Sequence, residues 1–169
     1  MIIAITGLVG SGKDTLAQLV ASKTGMRHLN LTFKDLAKQK GISLIELQRL
    51  AEKDPSIDKE FDDMQKREAA KGDCVTSTWL GPWILPAELR IFLYASEEVR
   101  AQRVAKREGI SEEEAIKYIR ERENSNRKRY LKLYNIDITN YERYDLVLSS
   151  ERYKPEQLLE FVMLAKRWL

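Results

Sequence analysis

The stretch Ile2-Ile3-Ala4-Ile5-Thr6-Gly7-Leu8-Val9-Gly10-Ser11-Gly12-Lys13-Asp14-Thr15 decides how the chain reads. A short apolar run enters a glycine-rich loop, and a lysine then opens a helix carrying Leu16, Ala17, Leu19 and Val20. Strand, loop and helix N-terminus in that order suit a polyphosphate. Glycine at 7, 10 and 12 permits backbone angles and close approaches that a Cβ would block. The loop N–H groups can then turn onto phosphate oxygens, and the helix points its positive end at the same anion. Lys13 would reach the outer phosphates as a point charge. Gly7, Gly10, Ser11, Gly12, Lys13, Asp14 and Thr15 are therefore the nucleotide-binding candidates. The hydroxyl that normally follows the lysine comes one place late. Asp14 fills its slot, and Thr15 becomes the candidate Mg²⁺ ligand, with Asp14 facing away or acting on the ion through water.

The bulk numbers agree with one soluble enzyme-sized domain. The chain has 169 residues, 43% of them hydrophobic and 33% charged, enough for a single sizeable core. The four-residue apolar run at the N-terminus is neither a leader nor a membrane span. A single cysteine, Cys74, forbids an internal disulfide and suggests the cytoplasm; it reads as a buried strand residue. The single histidine, His28, reads as structural. The formal net charge is only +3, with basic and acidic residues interleaved rather than segregated, which argues against nucleic acid as a partner. Small-molecule nucleotides, no membrane and a monomeric state are the expectation.

Strands alternate with helices. Residues 2–6 read as a strand, 13–23 as a helix stopped by Gly25, and 27–31 as a short strand. Residues 32–71 carry two or three helices, broken at Asp54-Pro55, and form an insertion over the sheet that would bind an acceptor. Val75 lies in a strand, Gly81-Pro82 in a turn, and 89–94 in the clearest later strand. A helix at 96–107 leads to a capping box, Ser111 with Glu114, that opens a long helix to about residue 133. Residues 144–148 read as the last strand and 155–168 as the closing helix. Alternation of this kind demands parallel pairing, with ligands at the carboxyl ends of the strands.

A second feature is arginine. Arg103 and Arg107 are four apart on one helix, and Arg122 and Arg129 are seven apart on the next, so each pair shares a face. Fixed planar donors converging from two helices stabilise a phosphoryl group in transfer. The plain alternative is a solvated face, with Glu112, Glu113, Glu114, Glu121 and Glu123 pairing across helix turns.

With these residues laid out, the chain resembles the archaeal-type cytidylate kinases of the nucleoside monophosphate kinase group. The resemblance rests on the phosphate loop, on Asp54-Pro55-Ser56-Ile57-Asp58 running to Gln65, and on Trp83-Ile84-Leu85-Pro86-Ala87. It continues through Ala105-Lys106-Arg107-Glu108-Gly109, Arg122-Glu123, Arg129-Tyr130 and Tyr144-Asp145-Leu146-Val147. It implies a three-layer α/β fold of the P-loop NTPase type, with a five-stranded parallel sheet, helices on both faces and a helical lid at about 107–126. It also implies ATP with Mg²⁺ as donor and CMP or dCMP as acceptor. Arg103 and Arg107 would lie by the lid, Arg122 and Arg129 would flank the transferred phosphate beside Lys13, and Asp58, Asp62 and Gln65 would read the pyrimidine. The departures gather in the acceptor half. Lys34 stands in an arginine slot, Trp79 stands where an arginine would grip the acceptor phosphate, and Asp63-Met64-Gln65 replaces Arg-Arg-Gln. Lysine lacks the guanidinium fork and tryptophan has no charge, so Lys34 with a lid arginine would hold the acceptor phosphate. Trp79 would pack, or stack on a base. A kinase of another small acceptor and a nucleotide-binding paralogue remain open alternatives.

Overall fold

The computed structural model describes residues 1–169. Five strands, β1 (Ile2–Gly7), β2 (Arg27–Leu29), β3 (Cys74–Thr76), β4 (Leu89–Tyr94) and β5 (Leu146–Ser149), form one sheet in the order β2-β3-β1-β4-β5. Every pairing is parallel, with Ile3 opposite Val75 on one side and Leu89 on the other. Eight helices connect and cover the strands: α1 (Lys13–Thr24), α2 (Phe33–Gln39), α3 (Leu44–Lys53), α4 (Ser56–Ala69), α5 (Gly81–Ile84), α6 (Glu97–Glu108), α7 (Glu112–Tyr134) and α8 (Pro155–Lys166). None is long and apolar enough to cross a membrane.

The period-two alternation of β1 builds the layers. Ile3 and Ile5 point to one face and meet Leu16, Ala17 and Val20 of α1 and Leu158 and Val162 of α8. Each buried isoleucine, leucine or valine among them stabilises the fold by about 1.5–3 kcal/mol. The opposite face takes α5 against β1 and β4, and Phe92 stacks there on Tyr141 and Tyr144 at 5.0 and 5.2 Å between centroids. β1 is central and buried, paired on both sides, and the phosphate loop begins at its carboxyl end.

The boundaries follow local chemistry. Gly25, in the left-handed region at φ 71°, ends α1, and both Ser43–Glu46 and Ser111–Glu114 close reciprocal capping boxes. Residues 32–71, expected to be an insertion, hold three helices, with Asp54-Pro55 between the second and third. Two expectations need correction. Gly81-Pro82 starts the short helix α5 rather than a turn, because proline fits the first helical turn. The last strand begins at Leu146, not Tyr144. The Tyr144 hydroxyl donates to the Ile138 carbonyl at 2.6 Å and accepts from Trp83 at 3.1 Å, which holds its side chain as a plug before the strand. Cys74 is fully buried in β3.

Candidate active site

The phosphate loop leaves β1 at Gly7 and enters α1 at Lys13. Gly10 and Gly12 sit at φ 82° and 88°, a region that favours glycine. A Cβ on Gly10 would also lie 2.7 Å from the Arg100 carbonyl oxygen, and one on Gly7 2.5 Å from Ser11 Oγ. The back of the loop is wired to the helices. Buried Arg100 of α6 donates to the Val9 carbonyl at 3.0 Å and the Ala95 carbonyl at 3.1 Å, and it pairs with Glu123 of α7. Glu123 in turn accepts from the Val9 N–H at 3.1 Å. Arg103 donates to the Gly10 carbonyl at 3.3 Å and to the Ser150 carbonyl at 2.6 Å, and Ser150 Oγ donates to the Ser11 carbonyl at 2.6 Å. The front differs. No side chain caps α1, so its first-turn N–H groups are left for an anion, and Ser11 Oγ is buried without a partner.

In front of this loop lies a cavity of about 740 Å³ that runs from Gly10–Leu16 to the α2–α4 insertion. Lys13, Lys34, Arg103, Arg107 and Arg122 all line it. Lys13 is largely buried, its Nζ 3.4 Å from Asp14 Oδ2. Desolvation pushes its pKa down, Asp14 opposes that, and the nearby Arg122 and Arg107 push the same way as burial. A ligand of several negative charges would relieve that crowding. Arg122 lies 5.3 Å over the Tyr118 ring and donates to the Tyr118 hydroxyl at 3.3 Å, while its Nε has no partner. Arg107 is exposed and bonded to Glu108 at 2.8 Å; Lys34, also exposed, is 3.8 Å from the same carboxylate. Glu108 thereby links the start of the insertion to the end of α6.

The far end of the cavity is built from the insertion and α7. Asp58, Asp62 and Gln65 of α4 and Gln48 of α3 are buried and line it together with Phe33, Phe61 and Asn126. Asp62 accepts from the Tyr134 hydroxyl at 2.8 Å and from Gln65 Nε2 at 3.3 Å. Burial, reinforced by Asp58, raises its pKa to about 6 against the opposing Tyr134 bond. Trp79 is half-buried between the Val9 and Tyr130 apolar clusters, 6.4 Å from the Tyr130 ring, and also faces the cavity.

Two arginines differ from expectation. Arg129 is 3% exposed, paired with Asp58 and sealed by Phe33 at 4.8 Å, and it is absent from the cavity wall beside Arg122. Arg103 touches the wall but gives its guanidinium to the loop and to Ser150 rather than to a lid. The acidic partners are also placed differently. Glu123 meets Arg100 and Glu121 meets Arg49, so these pairs join separate elements, and in α7 only Lys117–Glu113 spans one helical turn. Sequence reasoning gave no role in the site to Ser150, Gln48 or Asn126, and it did not pair Arg100 with Glu123. The contacts that place them, Arg100 with Glu123, Gln48 with Asn126 and Ser150 with Ser11, span 23, 78 and 139 residues, beyond any local pattern.

Asp14 and Thr15 bring two oxygen donors to the cavity next to Lys13, and no cluster of three or more His, Cys, Asp or Glu side chains could enclose a metal. That donor set suits Mg²⁺, which takes one or two protein oxygens and completes its shell with phosphates and water.

A model of the cytidylate kinase-like family matches residues 2–152. The chain belongs to that family. Members with curated names are similar over nearly the whole length. The cytidylate kinase of Pyrococcus horikoshii is 45% identical over 168 residues, covering 98% of this chain and 88% of that protein. The cytidylate kinase of Ignicoccus hospitalis is 39% identical over 165 residues, with 95% and 96% covered. Among solved structures, shikimate kinase from Acinetobacter baumannii in complex with shikimate superposes with a TM-score of 0.64 at 15% identity, covering 97% of this chain and 91% of that one. Deoxyadenosine kinase from M. mycoides with dCMP and dCDP gives 0.62 at 18%, over the full length of both. At such identities the likeness is one of fold.

Proposed function

We propose that the protein transfers the terminal phosphoryl group of ATP to a cytidine monophosphate, CMP or dCMP, yielding ADP and CDP or dCDP. The observation that carries this reading is one continuous cavity. It joins the phosphate loop with Lys13 at one end to a buried polar set from α3, α4 and α7 at the other. Membership of a family whose named relatives are cytidylate kinases agrees with it.

In this reading the α1 N-terminus and the loop N–H groups hold the donor phosphates, with Lys13 on the outer ones. Arg122, on the wall of the same cavity, stabilises charge on the equatorial oxygens during in-line transfer; Lys34 and Arg107 hold the acceptor phosphate. Thr15 and Asp14 would hold Mg²⁺, directly or through water, and the ion would neutralise charge on the donor oxygens. The acceptor phosphate attacks as an anion, so no catalytic base is needed, and the chain's single histidine lies outside the cavity. The junction of α6 and α7, about 107–126, acts as the lid, and 32–71 as the acceptor arm. The decisive experiment is coupled ADP release with ATP, Mg²⁺ and a panel of nucleoside monophosphates beside a control without acceptor. CMP or dCMP should give the highest kcat/KM. Acceptor-independent ADP release alone, or preference for a different acceptor, would refute the assignment.

A further inference from the structure

Resting on that acceptor site, we infer that Gln48 is a further specificity-determining residue at its buried end, its oxygen turned toward the exocyclic amino group of the base by Asn126 and Arg129, which act as positioning residues. Three side chains on the cavity wall each keep one buried oxygen without a hydrogen-bond partner: Gln48 Oε1, Asp58 Oδ2 and Gln65 Oε1. All three side chains belong to residues no more than 3% exposed. An amide can in principle present either end, so its orientation has to be fixed by neighbours.

Here it is fixed. Arg129 can only donate, and its guanidinium bonds both Asp58 Oδ1 and Asn126 Oδ1. Asn126 Oδ1 is therefore an acceptor, and Gln48 must turn its Nε2 to it, which it does at 2.8 Å. Gln48 Oε1 is left over. Gln65 turns its Nε2 to Asp62 Oδ1, and the other Asp62 oxygen is held by Tyr134, so Gln65 Oε1 is left over as well. Reversing either amide would set oxygen against oxygen.

A buried acceptor without a donor is costly, and several in one place call for a ligand that brings hydrogens. The 4-amino group of cytosine brings two. The 4-oxygen of uracil would set a further acceptor against these. Ribose hydroxyls are the other source of donors within a nucleotide, and the 2′ position tests for them.

The test is kcat/KM, with saturating ATP and Mg²⁺, for CMP, dCMP, UMP and the 4-deamino analogue (pyrimidin-2-one riboside monophosphate). The analogue removes the amine without adding an oxygen. CMP should exceed the analogue by roughly tenfold or more, with UMP lower again, because a site built for a donor penalises an acceptor beyond the lost bond. Gln48→Met should reduce the CMP:UMP ratio by about tenfold, the order of one buried hydrogen bond, with KM for ATP unchanged. Asn126→Leu should do the same. Asn126→Asp, which keeps an oxygen for both Arg129 and Gln48, should restore the ratio, which a purely structural role for Asn126 would not require. Equal use of CMP and the analogue overturns the inference, and so does an unchanged ratio in folded Gln48→Met. A large loss with dCMP beside a small loss with the analogue also overturns it, because the donors would then be ribose hydroxyls. If the variants fail to fold, the substrate series on the unmodified protein decides. If no nucleotide is phosphorylated at all, the proposed function fails alone, and calorimetric binding of CMP against UMP still settles the inference.

Discussion

Replacing Asp62 by asparagine should make the protein more stable, and increasingly so as the pH rises. Asp62 is 4% exposed and its two oxygens take bonds from Tyr134 and Gln65, yet burial holds its pKa near 6. An unfolded aspartate titrates at 3.8, so the native state binds the proton more tightly than the unfolded chain. Stability from this group is complete below 3.8 and is lost as the pH rises through 6. The difference amounts to roughly 3 kcal/mol at neutral pH as an upper value. Asparagine is neutral throughout and keeps one acceptor, while the Tyr134 hydroxyl can accept from its amide. The expected gain is about 1–3 kcal/mol at pH 8, shrinking to nothing near pH 4. Carboxylates held low by partners, such as Glu97 beside Arg120 and Asp54 beside Ser56, make the parent less stable in acid. The difference between the two proteins isolates Asp62. Urea unfolding of both at half-unit steps from pH 4 to 8 is the assay. A difference that stays flat across that range, or that favours the aspartate at pH 8, would refute the reasoning.

Lys13→Ala should lower kcat by at least about 10³-fold, by loss of the charge on the transferring group, with folding retained on a thermal melt. Arg122→Ala should lower kcat far more than it raises KM for ATP; equal effects on both would mean simple binding. Gly10→Ala and Gly12→Ala share a left-handed backbone, worth about 1–2 kcal/mol of strain, but only the Cβ at 10 strikes a helix carbonyl. Gly10→Ala should therefore lower the Tm clearly more than Gly12→Ala, and a reversed order would contradict the loop geometry. Glu123→Gln should raise KM for ATP several-fold by loosening Val9 and Arg100, measured by initial rates against varied ATP.

Much of the fold is legible along the chain because its causes are local. The Ile2–Ile5 run, the glycine spacing, the Ser111–Glu114 box and the Asp54-Pro55 break each act within a few residues, and β1, α1, α7 and the three-helix insertion follow from them. The clustering of Lys13, Arg107 and Arg122 around one cavity was legible from chemistry. The place of Arg129 was not. Seven-residue spacing puts it roughly on the face of Arg122, but burial is decided by Asp58, 71 residues away, and by Phe33 closing over it. The same holds for Glu123, whose natural reading as a same-helix partner yields to Arg100 on α6. Charge spacing shows which side chains can meet on one helix, but not which helix will arrive opposite.

The wiring behind the phosphate loop divides its labour. The Val9 amide already faces a carboxylate and the Val9, Gly10 and Ser11 carbonyls already face donors, so those groups are unavailable to a nucleotide. The Gly10 and Gly12 amides and those at the mouth of α1 carry no such partner and are free to greet one. The loop's shape is thus settled during folding rather than on encounter, and a nucleotide meets a mould that has already set. Hydrogen–deuterium exchange would show this as a protected Val9 amide in the empty protein, alongside amides at 13–15 that become protected only when nucleotide is added.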